Sequence, residues 1–317
     1  LVKGVKETMD AVLKINHLNK WFGKKKIIDD LSLEVYAGEV FGFLGPNGAG
    51  KTTTIKMIMG FLDVDGGEIF LNGVNLKKHF EKAMSNIGGI VENPEMYKDI
   101  SGLTNLQMYA RLQSNISKER IDEVVKIVGM ENRVHEKVKK YSLGMKQRLG
   151  LAQAILHKPK ILILDEPTNG LDPAGIKELR DILKDLAHNE NVAVFVSSHL
   201  LSEMELMCDR VGIINNGKLL GVKTIEEMQS QASGGITVFR FNVKPIEKAL
   251  ELVRTQYADK IKAVNGDFID IAVEEDEVMK INSLFAANGI GIAGVAKIET
   301  SLEDAFMNIT GGGNIIG

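Results

Sequence analysis

The chain has 317 residues, 44% of them hydrophobic and 26% charged, with a formal net charge of −3. That is the composition of an ordinary globular protein, with room for one large domain and a smaller companion. It excludes a global basic field for DNA or RNA, and no run approaches the roughly 18 apolar residues of a membrane-spanning helix.

The single cysteine, Cys208, allows no disulfide within the chain, which fits a reducing compartment. The opening stretch "LVKGVKETMDAVLKI" scatters charge where a signal peptide needs an apolar core. The chain is therefore expected in the cytoplasm, with any membrane role supplied by a partner. Residues 1–12 are read as an N-terminal extension. "AVLKINHL", "LSLEVY" and "EVFGFLG" are apolar or alternating runs separated by turn residues and predict three strands. The loop "GPNGAGKT" and a helix from about Thr52 to Phe61 follow, then a hairpin arm at "GGEIFLNGV". From about residue 94 to 157 the pattern turns helical, with "GLTNLQMYARLQ", "SKERIDEVVKIVGM" and "KQRLGLAQAILH" as amphipathic runs. Strands return at "KILILDE", "VAVFVSS" and "RVGIINNGKLLG". Strands alternating with helices imply a parallel sheet covered on both faces, an α/β domain over residues 13–228. The small polar stretch "QSQASGG" at 229–235 reads as a linker. Residues 236–311 resume as strand, helix, strand, strand, helix, strand, helix, the order of a ferredoxin-like α+β module, with 312–317 a flexible tail.

Residues Gly45–Thr52 satisfy G-x-x-x-x-G-K-[ST] at every fixed position, with a strand before and a helix after. Such a loop turns successive backbone N–H groups inward on phosphate oxygens, which favours glycine at 45, 48 and 50 and brings Pro46, Asn47 and Ala49 to the ligand. The helix that begins near Lys51 adds the positive end of its dipole. Lys51 is expected to reach the β- and γ-phosphates, and the Thr52 hydroxyl to ligate Mg²⁺. Thr53 stands in the first helical turn, with the α-phosphate or solvent as its alternatives.

A phosphate loop needs a magnesium carboxylate on a neighbouring strand, and "ILILDE" ends in two acids. Asp165 is expected to hold the ion through water. Glu166 is expected to accept a proton from the attacking water, as general base.

"YSLGMKQRLGLAQAILHKPKILILDEPTNGLDP" resembles the core of the ATP-binding cassette (ABC) family, the nucleotide-binding subunits of ABC transporters. The likeness runs from about Leu13 to Val222, and within exporter-type members leans toward ATPases of bacitracin and lantibiotic export. It implies a P-loop NTPase core: a RecA-like lobe with an antiparallel β subdomain, plus a helical signature lobe. "SLGMK" stands at the signature loop, with Leu143, Met145 and Lys146 where the commonest version has Gly, Gly and Gln. There Ser142 and Gly144 would meet the γ-phosphate held by the opposite subunit, Ser142 also capping the next helix. "TNGLD" resembles the D-loop, where Asp172 serves the interface or the start of a helix at Pro173. His199 matches the switch histidine on the γ-phosphate. Phe22 matches the aromatic that stacks on adenine, which leaves Trp21 to the core. One departure is Glu92, which takes the place of the family's magnesium-coordinating glutamine.

The signature and phosphate loops of one chain face opposite sides of a nucleotide, so the resemblance implies an ATP-dependent head-to-tail homodimer. It also implies separate transmembrane permease subunits, docked at the loop Glu92–Gly102 with Met96 and Tyr97, residues that helical-lobe packing would also employ. The function expected is ATP hydrolysis, with ATP and Mg²⁺ bound, coupled to export of a peptide or drug-like substrate by a protein peripheral on the inner face of the membrane. The alternative is a soluble ABC ATPase acting on ribosomes or DNA. Against it stand the charge, the single cassette and the lack of a long coiled coil.

Overall fold

The computed structural model of the chain describes residues 11–92, 94–113, 116–232 and 237–298. The chain divides into two compact units, Leu1–Lys223 and Thr224–Gly317.

In the first unit, β1 (Ala11–Phe22) and β2 (Lys25–Tyr36) form a long antiparallel hairpin closed at Gly23–Lys24. Its inner face carries Leu13, Ile15 and Leu18 against Leu31, Leu33 and Val35, all buried. β3 (Val40–Leu44) has no polar face: every residue is buried. α1 (Lys51–Ile58), β4 (Gly66–Leu71) and β5 (Val74–Asn75) follow. The first sheet, in the order β2-β1-β4-β5, is antiparallel throughout.

α2 (Phe80–Met84) and β6 (Ile87–Ile90) lead into the helical lobe, α3 (Gly102–Arg111), α4 (Lys118–Ile127) and α5 (Leu143–Ala154). Each of these three helices starts on a serine whose side chain accepts a backbone N–H: Ser101 from Thr104, Ser117 from Arg120 and Ser142 from Met145. Such a cap contributes about 1 kcal/mol by satisfying an N–H that the helix leaves free.

The chain then returns through β7 (Ile161–Asp165), α6 (Pro173–His188), β8 (Ala193–Ser198), α7 (Leu201–Met207), β9 (Arg210–Asn215) and β10 (Lys218–Thr224). The second sheet has the order β10-β9-β3-β8-β7-β6, with β6, β7, β8, β3 and β9 parallel. All residues of β3, β7 and β8 are buried, as strands covered on both faces require. Phe195 anchors this core, 5.7 Å from Phe41 and 5.3 Å from Phe43 between ring centroids. The carboxyl ends of three neighbouring strands thereby meet at one edge: β3 opens into Gly45, β7 ends at Asp165 and β8 at Ser198.

The second unit opens with α8 (Ile225–Ala232), which takes in residues 229–232 of the linker expected over 229–235; residues 233–235 lie outside the described residues. The polar composition is misleading here because the helix has its own start signal. Glu227 N donates to Thr224 Oγ1 at 3.1 Å and Thr224 N to Glu227 Oε2 at 2.9 Å, a reciprocal capping box. Ile225 and Met228 are buried behind it. β11 (Val238–Lys244), α9 (Ile246–Tyr257), β12 (Ile261–Asn265), β13 (Phe268–Ala272), α10 (Glu275–Ala287) and β14 (Gly291–Ile298) complete the unit. The sheet order β12-β13-β11-β14, antiparallel at each pairing, is that of a ferredoxin-like module. It has a core of its own, centred on Phe241 and Phe285, whose rings meet edge to face at 5.9 Å. Of the extension expected over residues 1–12, Ala11 and Val12 belong instead to β1, because its pairing with β2 already begins at Ala11, opposite Tyr36. Residues 1–10, the last helix expected before 311 and the 312–317 tail lie outside the described residues.

Candidate functional site

The phosphate loop is wedged between β2, β8 and the β9–β10 hairpin. Gly45 N donates to Ser198 O at 3.4 Å, and Ala49 O accepts from Gly217 N at 2.9 Å. Two glycines are required by space, and one of them, Gly50, by dihedral freedom as well. A Cβ on Gly45 would stand 2.3 Å from Ile214 O, and Gly50, at φ 113°, would bring one within 2.5 Å of Ile28 Cδ1. Gly50 is also the N-cap of α1 and offers no side chain, so no capping group occupies the helix's first amides. Those amides and the dipole behind them favour an anion at this end.

Lys51, 5% exposed, projects back over the loop. Its Nζ donates to Gly45 O at 2.7 Å and stands 3.2 Å from Glu166 Oε1. Glu166 Oε2 in turn lies 2.8 Å from His199 Nδ1. Lysine, glutamate and histidine thus form one continuous chain across the strand ends. Glu166 adopts φ +49°, a left-handed conformation that a non-glycine residue holds only when its surroundings insist. Part of that insistence is Ser197, whose Oγ accepts from Glu166 N at 2.9 Å and donates to Asp165 Oδ1 at 2.6 Å. Asp165 is buried beneath this contact.

An open cleft of about 320 Å³ results. One wall is the loop with Asn47, Gly48, Gly50, Lys51, Thr52 and Thr53; the other is Glu166, Asn169 and His199, with Ile27 of β2 at the side. Asn169 and Ile27 are wall residues that no motif reading supplies. Asn169 lies within the "TNGLD" stretch, but its position in the cleft depends on the bend at Glu166, which pattern does not reveal.

Other expected residues stand outside this cleft. Glu92 has its side chain 69% exposed, with Oε1 3.1 Å from Lys56 Nζ. A φ of +67° turns its backbone, and the α1 ammonium holds its carboxylate at the surface. Ser142 caps α5, and Gly144 lies next to Leu171. Asp172 caps α6 by accepting from Gly175 N at 3.1 Å. Phe22 is 52% exposed at the end of β1. Trp21, expected in the core, is instead 40% exposed, with Lys26 Nζ 5.0 Å from its ring centroid. It sits beside the hairpin turn, where the packed face of β1 has already ended.

A glycine-rich loop between a buried parallel strand and a helix, with two acids ending the strand beyond β8 in the same sheet, defines a P-loop nucleotide-binding protein. Residues 28–169 match the family model described as ABC transporter. The uncharacterized ABC transporter ATP-binding protein YhcH of Bacillus subtilis (strain 168) is 50% identical over 303 residues, covering 96% of this chain and 97% of the relative. The bacitracin transport ATP-binding protein BcrA of Bacillus licheniformis is 40% identical over 317 residues, covering 97% and 100%. A solved structure of an ATP binding subunit of an ABC transporter is 28% identical, with a TM-score of 0.62 over 69% of this chain and 92% of that one. The chain belongs to the ABC transporter family, as one of its ATP-binding, ATP-hydrolysing subunits. Among the described residues, no helix is long and apolar enough to cross a membrane.

Proposed function

We propose that the cleft binds the triphosphate of Mg·ATP, with Lys51 on the β- and γ-phosphates and Glu166 as the general base for hydrolysis. The contact chain from Lys51 Nζ through Glu166 to His199 carries this reading. A cation for phosphate, a base for water and an imidazole that orients the base stand within hydrogen-bond reach of one another. The oxygen donors beside the loop, the Thr52 hydroxyl and the Asp165 carboxylate, are the type that a hard divalent cation takes. Magnesium bound there would draw charge from the phosphate oxygens. Glu92 joins this set through the family resemblance, and to do so its carboxylate must leave Lys56. Phe22 is assigned to the adenine on the same ground; its ring is exposed, with the Lys20 ammonium 5.8 Å from its centroid.

The placement of the two loops supports the dimer. Ser142 and Gly144 begin α5 outside the cleft of their own chain, so in a head-to-tail pair those of one copy would meet the nucleotide held by the other. Separate membrane subunits would dock on the loop Glu92–Gly102. In support, Tyr97 is 60% exposed, while Asn105 holds its backbone by accepting from Tyr97 N at 2.9 Å and donating to Tyr97 O at 3.1 Å. Beside it a groove of about 410 Å³ is lined by Met96, Lys98, Leu143 and Lys146 among others. Likeness to a bacitracin transport protein favours export of a peptide or drug-like substrate, by a subunit peripheral on the inner face of the membrane.

In a single-turnover assay of the full chain, Glu166→Gln is expected to retain ATP and to lower hydrolysis by roughly 10²–10⁴. Wild-type turnover in that variant would remove Glu166 from the role of base.

A further inference from the structure

Two buried hydroxyls outside the cleft share one acceptor. Thr168, 4% exposed, donates from Oγ1 to Glu203 Oε2 at 2.5 Å; Ser198, 1% exposed, donates to the same oxygen at 3.4 Å. Ser198 Oγ also accepts from Leu200 N at 2.9 Å. Thr168 lies two residues beyond Glu166, and Ser198 lies next to His199. A single carboxylate oxygen on α7 therefore ties the loop that leaves β7 to the loop that leaves β8. These are the loops that present the base and the imidazole, whose 2.8 Å separation depends on their relative placement. The loop after β7 carries strain at Glu166, and conformations of this kind persist when neighbouring contacts over-determine them. Asn169 N to Glu166 O at 3.2 Å and Leu171 N to Thr168 O at 3.1 Å are two such contacts. They fix the turn internally but not against β8. The Thr168–Glu203 bond does that, complementing the Ser197 contact at Glu166 N.

We infer that Glu203 is a positioning residue for hydrolysis, holding Glu166 and His199 in register through Thr168 and Ser198. The inference rests on the proposed role of Glu166. Among the described residues, the hydrogen bonds of Glu203 run to Thr168 and Ser198 and to no residue of the Gly45–Thr52 loop, so its contribution falls on the chemical step more than on nucleotide affinity. Losing the tie releases the two loops, and misplacement by about 1 Å at a reacting centre costs on the order of 10²-fold in rate.

The test compares Glu203→Ala, Glu203→Gln, Thr168→Val and the double variant Glu203→Ala/Thr168→Val in the full chain, with Glu166→Gln alongside. Nucleotide Kd and single-turnover rate are measured separately. Glu203→Ala is expected to lower the rate by about 10–100-fold with Kd within about threefold. Glu203→Gln, whose amide oxygen can accept from both hydroxyls, restores most of that loss. Thr168→Val reproduces the alanine effect without removing the carboxylate, and the double variant adds little, as members of one network behave. A wild-type rate in Glu203→Ala, a loss of affinity parallel to the loss of rate, or additive single effects would each overturn the inference while leaving Glu166 as base. If Glu203→Ala does not fold, a wild-type rate in the near-isosteric Thr168→Val overturns it. Full turnover in Glu166→Gln would remove the base itself, and the inference with it.

Discussion

Leu143, the first residue of α5, covers Gly170 in the loop after β7: a Cβ on Gly170 would stand 3.1 Å from Leu143 Cδ2. The loop assigned to a second copy's nucleotide and the loop that carries Glu166 are thus in contact within one chain. Gly170 also adopts φ +76°. Gly170→Ala therefore meets both a left-handed backbone, worth about 1–2 kcal/mol, and a neighbour that must yield. The expected outcome is a lower Tm together with weakened ATP-dependent dimerisation, read by light scattering with and without nucleotide. Leu143→Ala should relieve the contact without the backbone strain.

Gly45→Ala tests the seat of the phosphate loop. The added Cβ would meet backbone, Ile214 O at 2.3 Å, not a side chain that can turn away. Overpacking of this kind typically costs about 1–3 kcal/mol and displaces the loop from β9. Nucleotide affinity, followed by titration with a fluorescent ATP analogue, should fall by about tenfold or more, since every 1.4 kcal/mol of lost binding is tenfold.

Glu92 and Lys56 form a solvent-exposed pair, with side chains 69% and 40% accessible. Pairs of this kind contribute about 0–1 kcal/mol. Glu92→Ala is expected to leave the thermal unfolding curve nearly unchanged. If the carboxylate reaches the cation during turnover, the Mg²⁺ concentration for half-maximal hydrolysis should rise, while binding of metal-free nucleotide stays as it was. Titrating magnesium at saturating ATP reads both arms.

His157 gives the fold an acid-sensitive point. Burial holds its imidazole below the ordinary range, and the nearby Arg120 guanidinium pushes the same way, while the bond to Ile87 O opposes them. Its Nε2 lies 2.9 Å from Ile87 O, and its Nδ1 has no hydrogen-bond partner among the described residues. The folded chain thus takes up the proton less readily than the unfolded chain. The stabilising contribution is complete above the ordinary imidazole value of about 6.5 and is lost as pH falls through the lower, folded-state value. Denaturant midpoints measured from pH 7.5 downward should show this loss. His157→Gln, which can still donate to Ile87 O, should flatten it.

Much of this site is legible in the sequence because its demands are local. Gly45, Gly50, Lys51 and Thr52 fall within one eight-residue motif between a strand and a helix. Ser142 announces a helix start, and Asp165 and Glu166 end a run of apolar residues. The βαββαβ order of the second unit is equally local, since each element has its own period. What pattern does not carry is proximity between strands far apart in the chain. β8 lies between β3 and β7, and that order brings His199 to Glu166 and Ser197 to Asp165. Glu203 shows no motif; its importance is created by Thr168 and Ser198 arriving at one oxygen. Trp21 and residues 229–232 differ from expectation for opposite reasons. Trp21 is apolar but stands past the packed face of its strand, whereas the polar segment continues a helix begun by Thr224 and Glu227.

The ferredoxin-like unit closes its apolar interior around Phe241 and Phe285, with none of those residues drawn from the strands that carry the nucleotide chemistry. A variant that hollows this interior removes packing from residues of the smaller unit alone and touches none of Lys51, Glu166 and His199, so activity measured in such a variant reads out what the smaller unit contributes to splitting ATP.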